Sequence, residues 1–273
     1  MTLTVEYQES GSGAPIVFVP GSFSTGASWR SISTPLAQRY RTIATSLSGY
    51  GKTPERRQPG GQHMNDEMDV LETVLAQANT SINASTNAPV HLVAHSFGAW
   101  VALSLAMHRT PQLLSLTLLE PTVFYLLTLG GESALMQQVN AMTDRYMADW
   151  ENGDRQAVRH VIDFYGGAGT FDAYPPAVQD KVIGQTPTNI LDWQTGYSEA
   201  PTLADIRAVN VPTLVVYGSD SHRAMQRSNQ LLADALPQAQ IVALEGATHF
   251  MIGTHAAELT DRIEQHIRAA EPV

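Results

Sequence analysis

The sequence predicts an α/β fold built on a mostly parallel sheet. Three observations predict it. Short β-branched runs recur along the chain and are apolar on both faces, as buried parallel strands are. Helical patterns lie between most of them, which is the alternation of strand–helix–strand units. One long stretch, residues 121–211, breaks the alternation and holds no convincing buried strand.

Taken in order, residues 3–8 read as an edge strand, followed by a turn at Ser10-Gly11-Ser12-Gly13. Residues 14–19 are the first core strand, and a helix follows over 29–39. Residues 42–45 form the next strand. A helix over 65–78 carries Asp66, Glu67 and Asp69 in its first turn, where carboxylates suit the helix dipole. Strand 90–94 runs into helix 97–108, and strand 114–119 precedes the break. After it come strand 213–217, helix 223–236, strand 240–244 and a closing helix over 256–269. The break is rich in aromatic residues, with helical stretches over 134–150 and 155–165 interrupted by Gly166-Gly167 and Pro175-Pro176. A structureless loop of that length is implausible in a compact chain, so residues 121–211 are expected to be an inserted helical subdomain. Residues 1–120 and 212–273 then form one core domain.

Composition narrows the chemistry. The chain has 273 residues and no cysteine, which excludes disulfides, thiolate zinc sites, iron–sulfur clusters and a cysteine nucleophile. Sixteen Lys and Arg against 26 Asp and Glu leave a net charge of −10, which argues against nucleic acid as a partner. Lys52, Arg56 and Arg57 form the one dense basic spot, read as a solvated loop. Residues 1–6 have no basic region followed by an apolar core, and apolar stretches such as 113–119 fall far short of the roughly 20 residues that span a bilayer. The expectation is a cytoplasmic protein with no membrane partner and a small-molecule substrate; self-association as a homo-oligomer stays open.

The decisive stretch is Val93-Ala94-His95-Ser96-Phe97-Gly98-Ala99, which follows a buried strand and opens a helix. A serine on a sharp strand-to-helix turn sits in a strained backbone, so the residues two away must be small, as Ala94 and Gly98 are. Such a turn projects the hydroxyl away from the sheet, and the helix N-terminus behind it offers amide donors to an oxyanion. The blander reading makes Ser96 an ordinary helix N-cap.

With this elbow, Phe18-Val19-Pro20-Gly21-Ser22-Phe23, Leu47-Ser48-Gly49-Tyr50-Gly51-Lys52-Thr53 and Glu245-Gly246-Ala247-Thr248-His249-Phe250, the chain resembles the α/β-hydrolase family over nearly all its length. The resemblance implies an eight-stranded type of sheet flanked by helices, and makes residues 121–211 a cap over the active site. It implies a triad in the chain order Ser, acid, His, which places the base at His249 in the Gly-x-x-His-Phe loop. Of the other eight histidines, His91 and His95 belong to the elbow and its strand, His255 and His266 lie on the terminal helix, and His63, His108, His160 and His222 show no ligand spacing with one another, so no metal site and no cofactor are expected.

Two carboxylates compete for the acid. The family often carries Asp at the end of a Gly-x-x-Asp turn after the strand read here as 213–217; this chain has Gly218-Ser219-Asp220-Ser221, with Asp220 one position early. Glu120, in Leu119-Glu120-Pro121, ends the preceding strand, where other members carry their acid. Either would hold the imidazole in the correct tautomer. The oxyanion hole implied by the resemblance uses the backbone N–H of Phe97 and that of Ser22 or Phe23, although the family's frequent His-Gly is here Pro20-Gly21.

Serine at position 96 excludes the aspartate-based chemistry of epoxide hydrolases and haloalkane dehalogenases. Acyl chemistry remains: attack by Ser96, an acyl-enzyme, then hydrolysis. The expected substrate is a carboxylic ester or lactone of small to medium size and apolar character. A C–C bond hydrolase, an acyltransferase or a haloperoxidase-like activity on the same triad, and a non-catalytic ligand-binding member of the fold, are the alternatives.

Overall fold

The computed structural model describes residues 3–80 and 89–271; Met1 and Thr2 of the amino-terminal stretch lie outside the described residues. In chain order the elements begin with strands β1 (Gln8–Gly11) and β2 (Pro15–Val19), helix α1 (Arg30–Leu36), strand β3 (Arg41–Ala44) and helix α2 (Met64–Thr80). Strand β4 (Val90–His95), helix α3 (Ser96–His108) and strand β5 (Leu113–Leu119) follow. Seven helices come next: α4 (Tyr125–Leu129), α5 (Ser133–Glu151), α6 (Arg159–Gly166), α7 (Thr170–Ala173), α8 (Pro176–Gly184), α9 (Thr186–Tyr197) and α10 (Leu203–Arg207). The chain ends with β6 (Thr213–Gly218), α11 (Arg223–Ala235), β7 (Ala239–Leu244), α12 (Met251–Thr254) and α13 (Ala256–Ala270).

The strands form one sheet in the order β1-β3-β2-β4-β5-β6-β7. Every pairing is parallel except that of β1 with β3. From β2 the chain moves outward to β3 and then returns to β4 on the other side, so the order reverses between β2 and β4. A crevice opens at such a switch point beyond the carboxyl ends of the strands. The loop after β2 and the turn after β4 both open there.

Alternation along the strands explains why the runs read as apolar throughout. Val17 and Val19 face a core shared with α2 and α3, through Met68, Leu71 and Val101. Ile16 and Phe18 face the opposite core, closed by Ile32 of α1 and by Leu259 and Ile263 of α13. Helices thus cover both faces. α3 is buried along its first ten residues, Ser96 to Leu105.

Three local expectations are corrected. The edge ladder runs over Gln8–Gly11 rather than residues 3–8. At Glu6, the N–H donates to the Thr53 hydroxyl at 2.9 Å and the carbonyl accepts from Thr45 Oγ1 at 2.6 Å, so these groups serve the neighbouring loop instead of a ladder. The sheet has seven strands among the described residues, where the resemblance suggests eight. β7 was expected to be buried on both faces, yet it is the sheet edge and leaves Ile241 42% exposed.

Residues 121–211 carry helices and no strand. They have their own core, in which Phe124, Tyr146, Val161 and Trp193 meet Ala224 and Met225 of α11. Gly167 at φ 95° ends α6, and proline opens both α8 and α9. Among the described residues no helix is long and apolar enough to cross a membrane.

The β4 side chain His91 makes acid stability testable. It is buried, with Nδ1 2.8 Å from Ser115 Oγ. Burial, and secondarily His266, pull its pKa from 6.5 down to about 4. Below pH 6.5 the unfolded chain binds a proton that the folded chain refuses, so this contribution to stability is lost as the pH falls from 6.5 to about 4. His91→Asn is expected to flatten that slope in urea unfolding at pH 7 and pH 5. An unchanged slope would show that His91 carries none of it.

Candidate active site

Ser96 is the first residue of α3 and has φ 55°, with His95 before it extended at φ −126°. An N-cap residue is extended, so the capping reading of Ser96 does not hold. Of four non-glycine residues at positive φ among the described residues, three are Phe23, Ser96 and Glu120, and all belong to the predicted site. Strain of this kind gathers where the surroundings hold a side chain in a required direction. The elbow is tight on both sides. A β-carbon on Gly98 would lie 2.2 Å from the Pro20 carbonyl oxygen, and one on Gly21 would lie 2.6 Å from Ser96 Cβ.

His249 lies in the loop after β7, and its Nε2 accepts a hydrogen bond from the Ser96 hydroxyl at 2.8 Å. Its Nδ1–H donates to Glu120 Oε2 at 2.6 Å. The other carboxylate oxygen, Oε1, accepts the Gly218 N–H at 2.7 Å. All three side chains are buried. The structure therefore brings Ser96, His249 and Glu120 into one chain of hydrogen bonds.

Asp220 is not part of it. It is exposed, its Oδ1 accepts from Ser219 Oγ at 3.2 Å, and its backbone N–H is spent on the Ala247 carbonyl at 2.9 Å. Gly218, the last residue of β6, holds Glu120, and the turn after it leaves the Asp220 side chain in solvent. The early placement of Asp in this turn has that geometric consequence.

The amides expected for an oxyanion lie beside Ser96. The Phe97 N–H is in the first turn of α3, where amides lack an intrahelical acceptor. Across from it, Gly21 brings the loop against Ser96, so that Ser22 is the next amide along. Of the two loop candidates, Ser22 directly follows Gly21, the residue packed on Ser96, and Phe23 stands one position further on at φ 60°.

Sequence reasoning missed the surroundings. His95 Nε2–H donates to the His249 carbonyl at 2.9 Å, and its ring centroid lies 4.7 Å from that of His249; burial pushes its pKa well down and keeps it neutral. The Tyr165 ring of α6 stacks on His249 with centroids 4.1 Å apart. Arg57 was expected in a solvated loop, yet its side chain is buried; Lys52 and Arg56 are exposed as expected. Arg57 Nη1 donates to Asp192 Oδ1 at 2.7 Å, its Nη2 pairs with Glu55 at 2.7 Å, and Glu67 lies 3.2 Å away. Burial works against the Arg57 charge, but Asp192, Glu55 and Glu67 outweigh it and hold it protonated. Burial raises Glu67 to about 7 against the pull of Arg57. No local pattern could have flagged the pairing, because Asp192 lies 135 residues further along.

Above Ser96 and His249 is a cavity of about 560 Å³, within the range of small-molecule sites. Its apolar wall includes Phe97, Trp100, Phe124, Tyr165, Trp193 and Phe250. Most of that wall comes from the helices between β5 and β6. No cluster of His, Asp and Glu fit to hold a metal occurs among the described residues.

A model of the alpha/beta hydrolase family matches residues 16–262. The 2-hydroxymuconate semialdehyde hydrolase of a Pseudomonas species is 24% identical over 96% of this chain and 90% of its own. The pimeloyl-(acyl-carrier protein) methyl ester esterase of Vibrio cholerae is 24% identical, covering 80% of each chain. A thermophilic esterase from Thermogutta terrifontis superposes with a TM-score of 0.76 at 18% identity, over 99% of this chain and 98% of its own, a likeness of fold.

Proposed function

The chain belongs to the alpha/beta hydrolase family, and from that premise we propose that it is a serine hydrolase cleaving a carboxylic ester or lactone of a small to medium apolar substrate. The observation that carries the reading is the unbroken chain from Ser96 Oγ through His249 to Glu120, with links of 2.8 and 2.6 Å. In this reading His249 Nε2 takes the hydroxyl proton as Ser96 attacks the carbonyl carbon. The tetrahedral oxygen gathers its negative charge against the Phe97 and Ser22 amides, each worth about a hundredfold to a thousandfold in rate. Collapse breaks the ester bond, and the imidazolium gives its proton to the leaving alcohol. Water then repeats the sequence on the acyl-enzyme and releases the acid. Glu120 steadies the imidazolium through its hydrogen bond to Nδ1.

The helices over 121–211 act as the cap in this scheme: they supply the apolar wall and keep bulk water from the acyl-enzyme. The aromatic lining supports an apolar acyl or alcohol group. A cytoplasmic setting goes with the cysteine-free composition. The test is reaction of the purified protein with a fluorophosphonate probe, together with turnover of p-nitrophenyl esters of increasing acyl length. Labelling is expected, with turnover of short and medium acyl chains and little of the palmitate. A wild-type protein that the probe leaves unlabelled sinks the proposal.

A second reading keeps the same residues and cleaves a C–C bond beside a ketone. It draws on the Pseudomonas relative, named for a semialdehyde rather than an ester. Turnover of a β-diketone-like substrate that exceeds that of every ester in the panel would favour it.

A further inference from the structure

Asp192 sits on α9, in the insertion, yet its carboxylate reaches across to the loop after β2. It is 2% exposed, and both oxygens are taken. Oδ2 accepts from the Ser22 hydroxyl at 2.5 Å and from the Tyr50 hydroxyl at 2.6 Å, while Oδ1 accepts from Arg57. One carboxylate thereby ties the Ser22 side chain, on the loop after β2, to Tyr50, on the loop after β3, and to Arg57. We propose that Asp192 is the positioning residue of the oxyanion hole: it fixes the Ser22 amide from the helical insertion, so the hole is complete only with the insertion seated. This rests on the reading of Ser96 as nucleophile.

The loop leaves little room for another arrangement. Gly21 passes Ser96 so closely that a methyl group there would collide, and Phe23 is held at φ 60°. Between these two constraints the Ser22 peptide sets where its N–H points, and the Ser22 side chain is its tether to Asp192. A carboxylate taken from water to this depth costs free energy that Arg57 offsets. An apolar residue at 192 would fill the same space without that cost. What the charge adds is two short hydrogen bonds, one to Ser22 of the loop after β2 and one to Tyr50 of the loop after β3, and charge-assisted bonds of this kind fix geometry. A tilt in the Ser22 amide weakens a donor whose contact is made in the transition state, so the effect belongs in kcat rather than KM.

The experiment compares Asp192→Asn, Ser22→Ala and the double variant with wild type on p-nitrophenyl butyrate, alongside thermal unfolding. Asp192→Asn is expected to lower kcat by about tenfold to a hundredfold with KM within about threefold. Ser22→Ala is expected to lower kcat in the same direction, Ser22→Thr to restore it, and the double variant to be no slower than Asp192→Asn alone, because both act through one tether. If Asp192→Asn fails to fold, the contrast of Ser22→Ala with Ser22→Thr decides. A purely structural Asp192 would lower the Tm while leaving kcat per folded molecule intact, and Ser22→Ala would then be silent. Full kcat in folded Asp192→Asn or in Ser22→Ala, or independent effects that multiply, overturns the proposal. Failure of the serine-hydrolase reading looks different: wild type itself would not take the fluorophosphonate.

Discussion

Ser96→Ala is expected to lower ester hydrolysis by up to about a millionfold and to abolish labelling by a fluorophosphonate, with little change in the unfolding temperature. The size follows from what is removed. Without Oγ no acyl-enzyme forms, and the remaining catalysis is whatever the Phe97 and Ser22 amides give to direct attack by water. The unchanged stability follows from the backbone. Alanine keeps the β-carbon at φ 55°, so it neither relieves nor adds to the strain of the turn. The hydroxyl's hydrogen bond to His249 is lost, but His249 keeps Glu120 and His95 as partners. Activity measured beside a thermal melt separates lost chemistry from lost fold. A variant that still hydrolyses the ester at wild-type rate would remove Ser96 from the mechanism.

The core strands and the elbow were legible because each is local. A β-branched run bounded by Gly or Pro declares a buried strand wherever it lands, and a small-x-Ser-x-Gly turn at a strand end needs no knowledge of distant residues. β7 was legible as a strand but not as an edge, since nothing in residues 240–244 says that no eighth strand lies beyond it. The insertion was legible by what it lacked, although its helices α8 and α9 gave no clear periodicity. Asp192 and Arg57 were not legible at all. A charged side chain in a polar-looking stretch reads as solvated, and only the fold brings an arginine at the end of one loop against an aspartate on a helix of the insertion. Tyr165 failed for the same reason: its stacking on His249 depends on how α6 lies over the last loop. The acid was half legible. Two strand ends each offered a carboxylate, and the choice turns on the direction of one backbone N–H, that of Gly218.

That choice is the sharpest remaining test. Glu120→Gln is expected to lower kcat by about ten-thousandfold, and Asp220→Asn to leave it within about twofold of wild type. In the native site the Gly218 N–H donates to Oε1, and Oε2 accepts the proton of His249 Nδ1. A glutamine placed there keeps its carbonyl oxygen on Gly218, because that partner can only donate. Its NH₂ then faces Nδ1 and can only donate as well. The imidazole must respond by carrying its proton on Nε2, pointing it at Ser96. A base that already holds a proton on the working nitrogen cannot take another from the hydroxyl, and the charge that would steady the imidazolium is gone too. Asp220 has no such connection among the described residues; its carboxylate is exposed and accepts from the hydroxyl of its neighbour Ser219. Steady-state rates for the two variants on one ester, with melting curves for both, decide between the carboxylates. A large fall in Asp220→Asn beside an active Glu120→Gln would mean that the loop after β6 moves during turnover and that His249 exchanges one acid for the other.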